Sequence, residues 1–144
     1  MIVLDSSILV YATGGDHPLR EPSRRLVDAI GDGDVEATST LEVIQEFAHV
    51  RARHRPRVDA VEQARGYVEL LRPLMAPQED DLMLGLELFQ RHDLGMFDAV
   101  LAATTVGQVP DARLVSADRA YGTVPGLHRL DPGAKGFLTD LGLT

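Results

Sequence analysis

The chain opens on a short apolar run rich in β-branched residues, Ile2-Val3-Leu4, that stops at Asp5. A run of this kind predicts a strand buried on both faces. Ser6 and Ser7 offer caps for a short helix through Ile8, Leu9, Val10 and Tyr11, which Gly14-Gly15 breaks. From Pro18 to Ile30 the apolar positions Leu19, Leu26, Val27 and Ile30 have helix-like spacing, and Gly31-Asp32-Gly33-Asp34 ends the segment. Val35 to Thr38 reads as a second strand. From Ser39 the pattern is again helical, with Leu41, Ile44 and Ala48 beside Val43, Phe47 and Val50, until Pro56 stops it. A further helix is expected from about Val58 to Leu71, followed by a third strand at Leu74-Met75-Ala76. Glu79-Asp80-Asp81 opens the next helix, where carboxylates complement the positive end of the dipole, and Leu82, Leu86 and Phe89 form its apolar stripe. The segment from Asp98 to Val106 is apolar nearly all round and predicts a buried helix. Ala112 to Val115 and Leu127 to Leu130 complete the strands. Strands alternating with helices predict an α/β domain with a mostly parallel sheet.

No repeat, low-complexity segment or linker divides the 144 residues, so a single domain over 1–144 is expected. A chain of this length buries roughly two-thirds of the surface its unfolded form exposes. With 44% apolar residues it does not belong to the disordered class, despite a net charge of -8. The absence of cysteine excludes a disulfide scaffold, a thiolate metal site and a cysteine nucleophile. The opening residues do not read as a signal peptide, and the charge-free run from Ala99 to Pro110 is too short to span a bilayer. A cytoplasmic protein with no membrane association is therefore expected. Fourteen cations against twenty-two carboxylates argue against a protein that simply coats nucleic acid. Arg51, Arg53, Arg55 and Arg57 nevertheless fall within seven residues, with His54 among them. Such a strip either holds a phosphate backbone or is a solvated helix end.

The carboxylates are more telling. Asp5 directly follows a buried strand, and ligands of open α/β sheets gather at the carboxyl ends of strands. Asp118 sits just beyond another strand and can share that edge. Asp98 opens an otherwise apolar helix, where it could equally serve as a cap. Glu42 and Glu46 are one turn apart on one helix face, and spacing alone prefers neither. Carboxylates converging at one edge repel one another and raise each other's pKa values unless a cation sits between them. With no Cys and no close His pair to offer softer ligands, the fitting ions are hard and divalent, Mg²⁺ or Mn²⁺. A site of that kind suits phosphodiester hydrolysis.

Four segments also carry a resemblance: Ile2 to Leu9, Val43 to Phe47, Phe97 to Ala103, and Leu114 to Arg119. In that order they resemble the successive motifs of PIN-domain ribonucleases, most closely the VapC-type toxins of toxin–antitoxin pairs. Each motif alone is weak, whereas four in the right order over nearly the whole chain are specific. The resemblance implies a three-layer α/β/α fold and a metal-dependent endoribonuclease that leaves a 5′-phosphate and a 3′-hydroxyl. It assigns Asp5, Glu46, Asp98 and Asp118 to the acidic site, binding one or two Mg²⁺ (or Mn²⁺) ions. Glu46 is preferred to Glu42 because Gln45-Glu46-Phe47 matches the second acidic motif, and Asp93 stays outside the core set. Ser6 matches a small hydroxyl residue that can hydrogen-bond a carboxylate. In the last motif, Ala120-Tyr121 stands where an aromatic closely follows the Asp in many relatives. Arg51, Arg53 and Arg55 then become candidates for holding the RNA backbone. The implied partners are a cognate antitoxin protein, an RNA substrate and a second copy in a homodimer. The alternative is a catalytically silent PIN-like module that binds RNA or protein. A receiver domain is disfavoured because the only Lys is Lys135, and a haloacid-dehalogenase-type phosphatase because Ser7 stands where its second Asp belongs.

Overall fold

Four short strands, β1 (Ile2–Leu4), β2 (Ala37–Thr38), β3 (Arg113–Val115) and β4 (His128–Leu130), form one sheet in the computed structural model, which describes residues 1–143. The order across the sheet is β2-β1-β3-β4 and every pairing is parallel. Parallel neighbours need long crossovers, and helices supply them. These are α1 (Ser6–Thr13), α2 (Arg20–Gly31), α3 (Leu41–Ala52), α4 (Arg57–Leu71), α5 (Glu79–Arg91) and α6 (Met96–Gln108), with a short α7 (Phe137–Asp140) near the end. The fold is thus the expected α/β arrangement. The expected domain runs over 1–144, of which Thr144 lies outside the described residues.

β1 is central and sealed. Ile2, Val3 and Leu4 are fully buried, as their unbroken apolar run requires, and Leu4 stands in register with Val115 of β3. Around them pack Ile8 and Leu9 of α1, Leu26 of α2, Phe47 of α3, Leu71 of α4 and Leu101 of α6. The Phe47 and Tyr67 rings meet edge to face at 5.0 Å, a favoured aromatic geometry that joins α3 to α4. α3 starts where Thr40 caps it, its hydroxyl accepting from the Val43 N–H at 3.2 Å.

Two expectations are corrected. The third strand at Leu74-Met75-Ala76 is reduced to a single bridge between Thr40 and Met75. The Met75 N–H donates to the Ser39 carbonyl at 2.9 Å, but Pro73 and Pro77 bracket the segment and have no N–H to carry the ladder further at either end. The apolar stripe of α5 is not its buried face: Leu82, Leu86 and Phe89 are 44%, 45% and 48% exposed. Asp81, Gly85 and Leu88 turn inward instead. A Cβ at Gly85 would stand 2.9 Å from Val100 Cγ2, so the small residue lets α5 and α6 approach closely. Asp81 locks the pair, accepting from the Gln78 N–H at 2.9 Å and from Gln108 Nε2 at 2.6 Å. No helix among the described residues is long and apolar enough to cross a membrane.

Candidate active site

The sheet delivers Asp5 to its carboxyl edge. The Asp5 N–H donates to the Val115 carbonyl at 3.0 Å, which continues the β1–β3 ladder one residue past the strand. The side chain is only 6% exposed. Its Oδ1 accepts from the Ser6 N–H at 2.8 Å, so Asp5 caps α1 and reaches the site at once. Its Oδ2 accepts from the hydroxyls of Ser116 at 2.6 Å and Ser7 at 3.2 Å. A buried carboxylate without such donors is costly. Burial pushes the Asp5 carboxyl above its ordinary range; the bonds from Ser116, Ser6 and Ser7 oppose the shift, and the nearby Glu46 adds to it.

Asp98 stands in the first turn of α6 and is not its cap residue, which is Gly95. That leaves a half-buried carboxylate at the same edge. Burial first, then the charges of Asp5 and Asp118, raise its pKa, while interaction with the Tyr121 hydroxyl lowers it. Asp118 is exposed and caps the 3-10 turn Arg119–Thr123, accepting from the Ala120 N–H at 2.9 Å. The Asp118 N–H in turn donates to Ser116 Oγ at 3.0 Å, so Ser116 links Asp5 to the Asp118 turn. Glu46, on α3, is exposed. It borders a groove of about 880 Å³ that also takes in Val43, Leu82, Met96, Phe97 and Asp98.

The charge of Glu46 thus acts on Asp5, and those of Asp5 and Asp118 act on Asp98. Among the described residues, however, no three His, Asp or Glu side chains already stand close enough to share one ion. The donors gathered here are carboxylate oxygens backed by hydroxyls, a chemistry that fits a hard divalent cation and no softer one. Mutual repulsion among the acids is what such a cation would relieve.

Other candidates fall differently. Ser6 engages Asp5 through its main-chain N–H, and it is the Ser7 hydroxyl that reaches the carboxylate. Glu42 lines the same groove, with a buried Oε2 that has no hydrogen-bond partner. Asp93 is exposed. Arg51 is tied down, its Nε 2.7 Å from Asp59 Oδ2 and its guanidinium also reaching the Thr13 carbonyl. It thereby joins the end of α3 to the start of α4. Arg53 and Arg55 are exposed.

Sequence reasoning missed Ser116 and the Tyr121 hydroxyl. A serine directly after a strand that pairs beside Asp5 is the signal for the first, and it required knowing that β1 and β3 are neighbours. Tyr121 is fully buried, its hydroxyl has no hydrogen-bond partner of good geometry, and burial with the charges of Asp5, Asp98 and Asp118 drives its pKa far up.

The chain is similar to known proteins over most of its length. The family model for the PIN domain matches residues 2–127. The chain is 45% identical to Ribonuclease VapC7 of Mycobacterium tuberculosis over 144 residues, 99% of each chain. It is 28% identical to VapC ribonuclease Mb1869c of Mycobacterium bovis over 136 residues, 90% of this chain and 99% of that one. Among solved structures, VapBC2 of Rickettsia felis bound to a promoter DNA fragment superposes with a TM-score of 0.69 at 15% identity, covering 91% of this chain and 98% of the other. FitAcB of Neisseria gonorrhoeae gives 0.70 at 12% identity, covering 92% and 98%. At those identities the structures speak for the fold.

Proposed function

The chain belongs to the PIN-domain family, as a VapC-type ribonuclease, and from that premise we propose that it is a divalent-metal-dependent endoribonuclease, the toxin of a toxin–antitoxin pair acting in the cytoplasm. The observation that carries the proposal is the buried Asp5 carboxylate at the carboxyl edge of the sheet, beside the groove lined by Glu46 and Asp98, with the charge of Glu46 acting on Asp5 and those of Asp5 and Asp118 on Asp98. Asp5, Glu46 and Asp98 would hold one or two Mg²⁺ or Mn²⁺ ions, with Asp118 completing the set. When bound, the cation supplies an acidified water and charge stabilisation on the leaving oxygen of the phosphodiester.

The chain's own residues do the rest. Ser116, Ser7 and the Ser6 N–H hold Asp5 in one orientation, so its carboxylate does not have to reorganise during the reaction. Asp98 and Glu46 face the groove that would receive the RNA beside the acids. Arg53 and Arg55 offer exposed cations for the backbone, a contact that positions RNA without reading its sequence. Arg51, occupied by Asp59, would orient the end of α3 from which those cations project.

The partner is a cognate antitoxin, as in the complexes named for the structural neighbours. Its contact with this chain, a homodimer of the chain, and RNA as the substrate stand as parts of the same proposal. The experiment is cleavage of total RNA with end sequencing, comparing wild type, Asp5→Asn and Asp98→Asn in Mn²⁺. Cleavage by wild type leaving 5′-phosphates, abolished in both variants while they remain folded, supports the proposal. Retained turnover in either variant overturns the site. No cleavage by wild type favours the silent PIN-like binding module.

A further inference from the structure

We propose that Tyr121 is a positioning residue: its buried hydroxyl is the donor that holds one carboxylate oxygen of Asp98, leaving the other free for a divalent cation. The inference rests on the metal-dependent reading of the site. Tyr121 is the largest fully buried side chain of the molecule, yet its hydroxyl has no hydrogen-bond partner of good geometry. A buried Tyr O–H ordinarily finds an acceptor, because leaving it unmade costs free energy. An apolar ring alone would fill the space without that cost.

The surroundings indicate which acceptor the hydroxyl serves. Asp98 is the carboxylate within interacting reach of it, and Asp5 and Asp118 act on it by charge alone. Both oxygens of Asp5 are already occupied by three donors, so that carboxylate has no need of a fourth. Asp98 has no comparable set: among the described residues the Tyr121 hydroxyl is the one hydrogen-bonding group that acts on its carboxylate. A phenol also suits this position, because it donates a proton while adding no charge among four acids. Its location is fixed by a rigid turn. Asp118 caps that turn through the Ala120 N–H, the Val124 N–H returns to the Tyr121 carbonyl at 3.2 Å, and His92 Nδ1 lies 2.9 Å from Thr123 Oγ1. Tyr121 is thus anchored at its backbone, with only its hydroxyl left uncommitted.

As they stand, no three of the described acids could share an ion, so a cation must draw at least one side chain into place. A half-buried Asp98 that rotates toward the cation presents its second oxygen to Tyr121. Outer-shell donors of this kind orient ligands, and their loss typically weakens metal affinity by about 10- to 100-fold.

The test is calorimetric titration of Mn²⁺ into wild-type, Tyr121→Phe and Asp98→Asn protein, and into the double variant, with metal-free thermal unfolding of each. Tyr121→Phe is expected to keep or raise the metal-free Tm, because it removes an unpartnered hydroxyl, and to weaken Mn²⁺ binding by about 10- to 100-fold. In RNA cleavage the KM for RNA stays within about twofold, while at saturating RNA the Mn²⁺ concentration for half-maximal rate rises by the same factor as the binding constant. Adding Tyr121→Phe to Asp98→Asn should produce no further loss of affinity. Mn²⁺ affinity of Tyr121→Phe within about twofold of wild type overturns the inference and leaves the metal-dependent reading standing, as does a full additional loss in the double variant. Failure of wild type itself to bind Mn²⁺ overturns that reading, and the inference with it.

Discussion

Replacing Ser116 with Ala removes the shortest hydrogen bond to Asp5 and, at every pH alike, the acceptor of the Asp118 N–H. The Ser116 side chain is fully buried, and its hydroxyl lies 2.6 Å from Asp5 Oδ2. A hydrogen bond to a charged group contributes about 1.5–3 kcal/mol, and a neutral one about 1 kcal/mol. The loss should therefore depend on whether Asp5 is ionised. Burial raises the Asp5 pKa, so the folded protein holds that proton more tightly than the unfolded chain does. Asp5 accordingly contributes no penalty below the ordinary carboxylate value, and stability declines as pH rises through the raised folded value. Ser116 is the strongest of the bonds that limit this decline. Urea unfolding of metal-free wild type and Ser116→Ala should thus differ by about 0.5–2 kcal/mol more near pH 8 than near pH 4, with unchanged m-values. The same penalty at both pH values, or one under about 0.5 kcal/mol throughout, would refute the claim that Ser116 stabilises an ionised Asp5.

Three other outcomes are expected. Arg51→Ala should lower the Tm more at neutral than at acid pH, because the guanidinium holds the Asp59 carboxyl below its usual range and that contribution fades as pH falls through the folded value. Arg55→Ala should leave the Tm unchanged while weakening RNA binding and making its salt dependence shallower by about one unit, checked by fluorescence anisotropy across salt concentrations. Gly85→Ala gains about 1 kcal/mol of helix propensity but overpacks α5 against Val100, whose Cα would lie 3.1 Å from the new methyl. Overpacking of that kind costs about 1–3 kcal/mol, so denaturant melts should show a net loss, and an increase would contradict the close helix approach.

The strands flanking the site were legible because their signals are local. Ile2-Val3-Leu4 is sealed as its apolar run demands, and Asp5 follows it directly at the edge where parallel sheets gather ligands. What sequence could not supply was the partner of each group. Ser116 acts on a residue 111 positions away, and only the β1–β3 pairing brings them together. The stripe of α5 failed for a related reason. Periodicity identifies an apolar face but does not say what covers it, and a glycine, invisible to hydropathy, decided which face met α6. Leu82, Leu86 and Phe89 were left outward, with Phe97 beyond them at 77% exposure. The bracketing prolines that prevented a third strand were visible in the sequence, and short apolar runs between prolines deserve less weight as strands. The arginine strip was legible as charge, but not the loss of Arg51 to Asp59, which depends on how α3 turns into α4.

Because β1 lies against β3, the acidic centre is a late product of protein synthesis. Asp5 leaves the ribosome well before the Val115 carbonyl and Ser116 hydroxyl that fix it, the serine lying 111 positions further along. A nascent or stalled polypeptide ending before that point carries the leading acid without the neighbours that orient it. Any hazard such a centre poses to the cell that makes it is thereby confined to chains in which β3 has been made and paired.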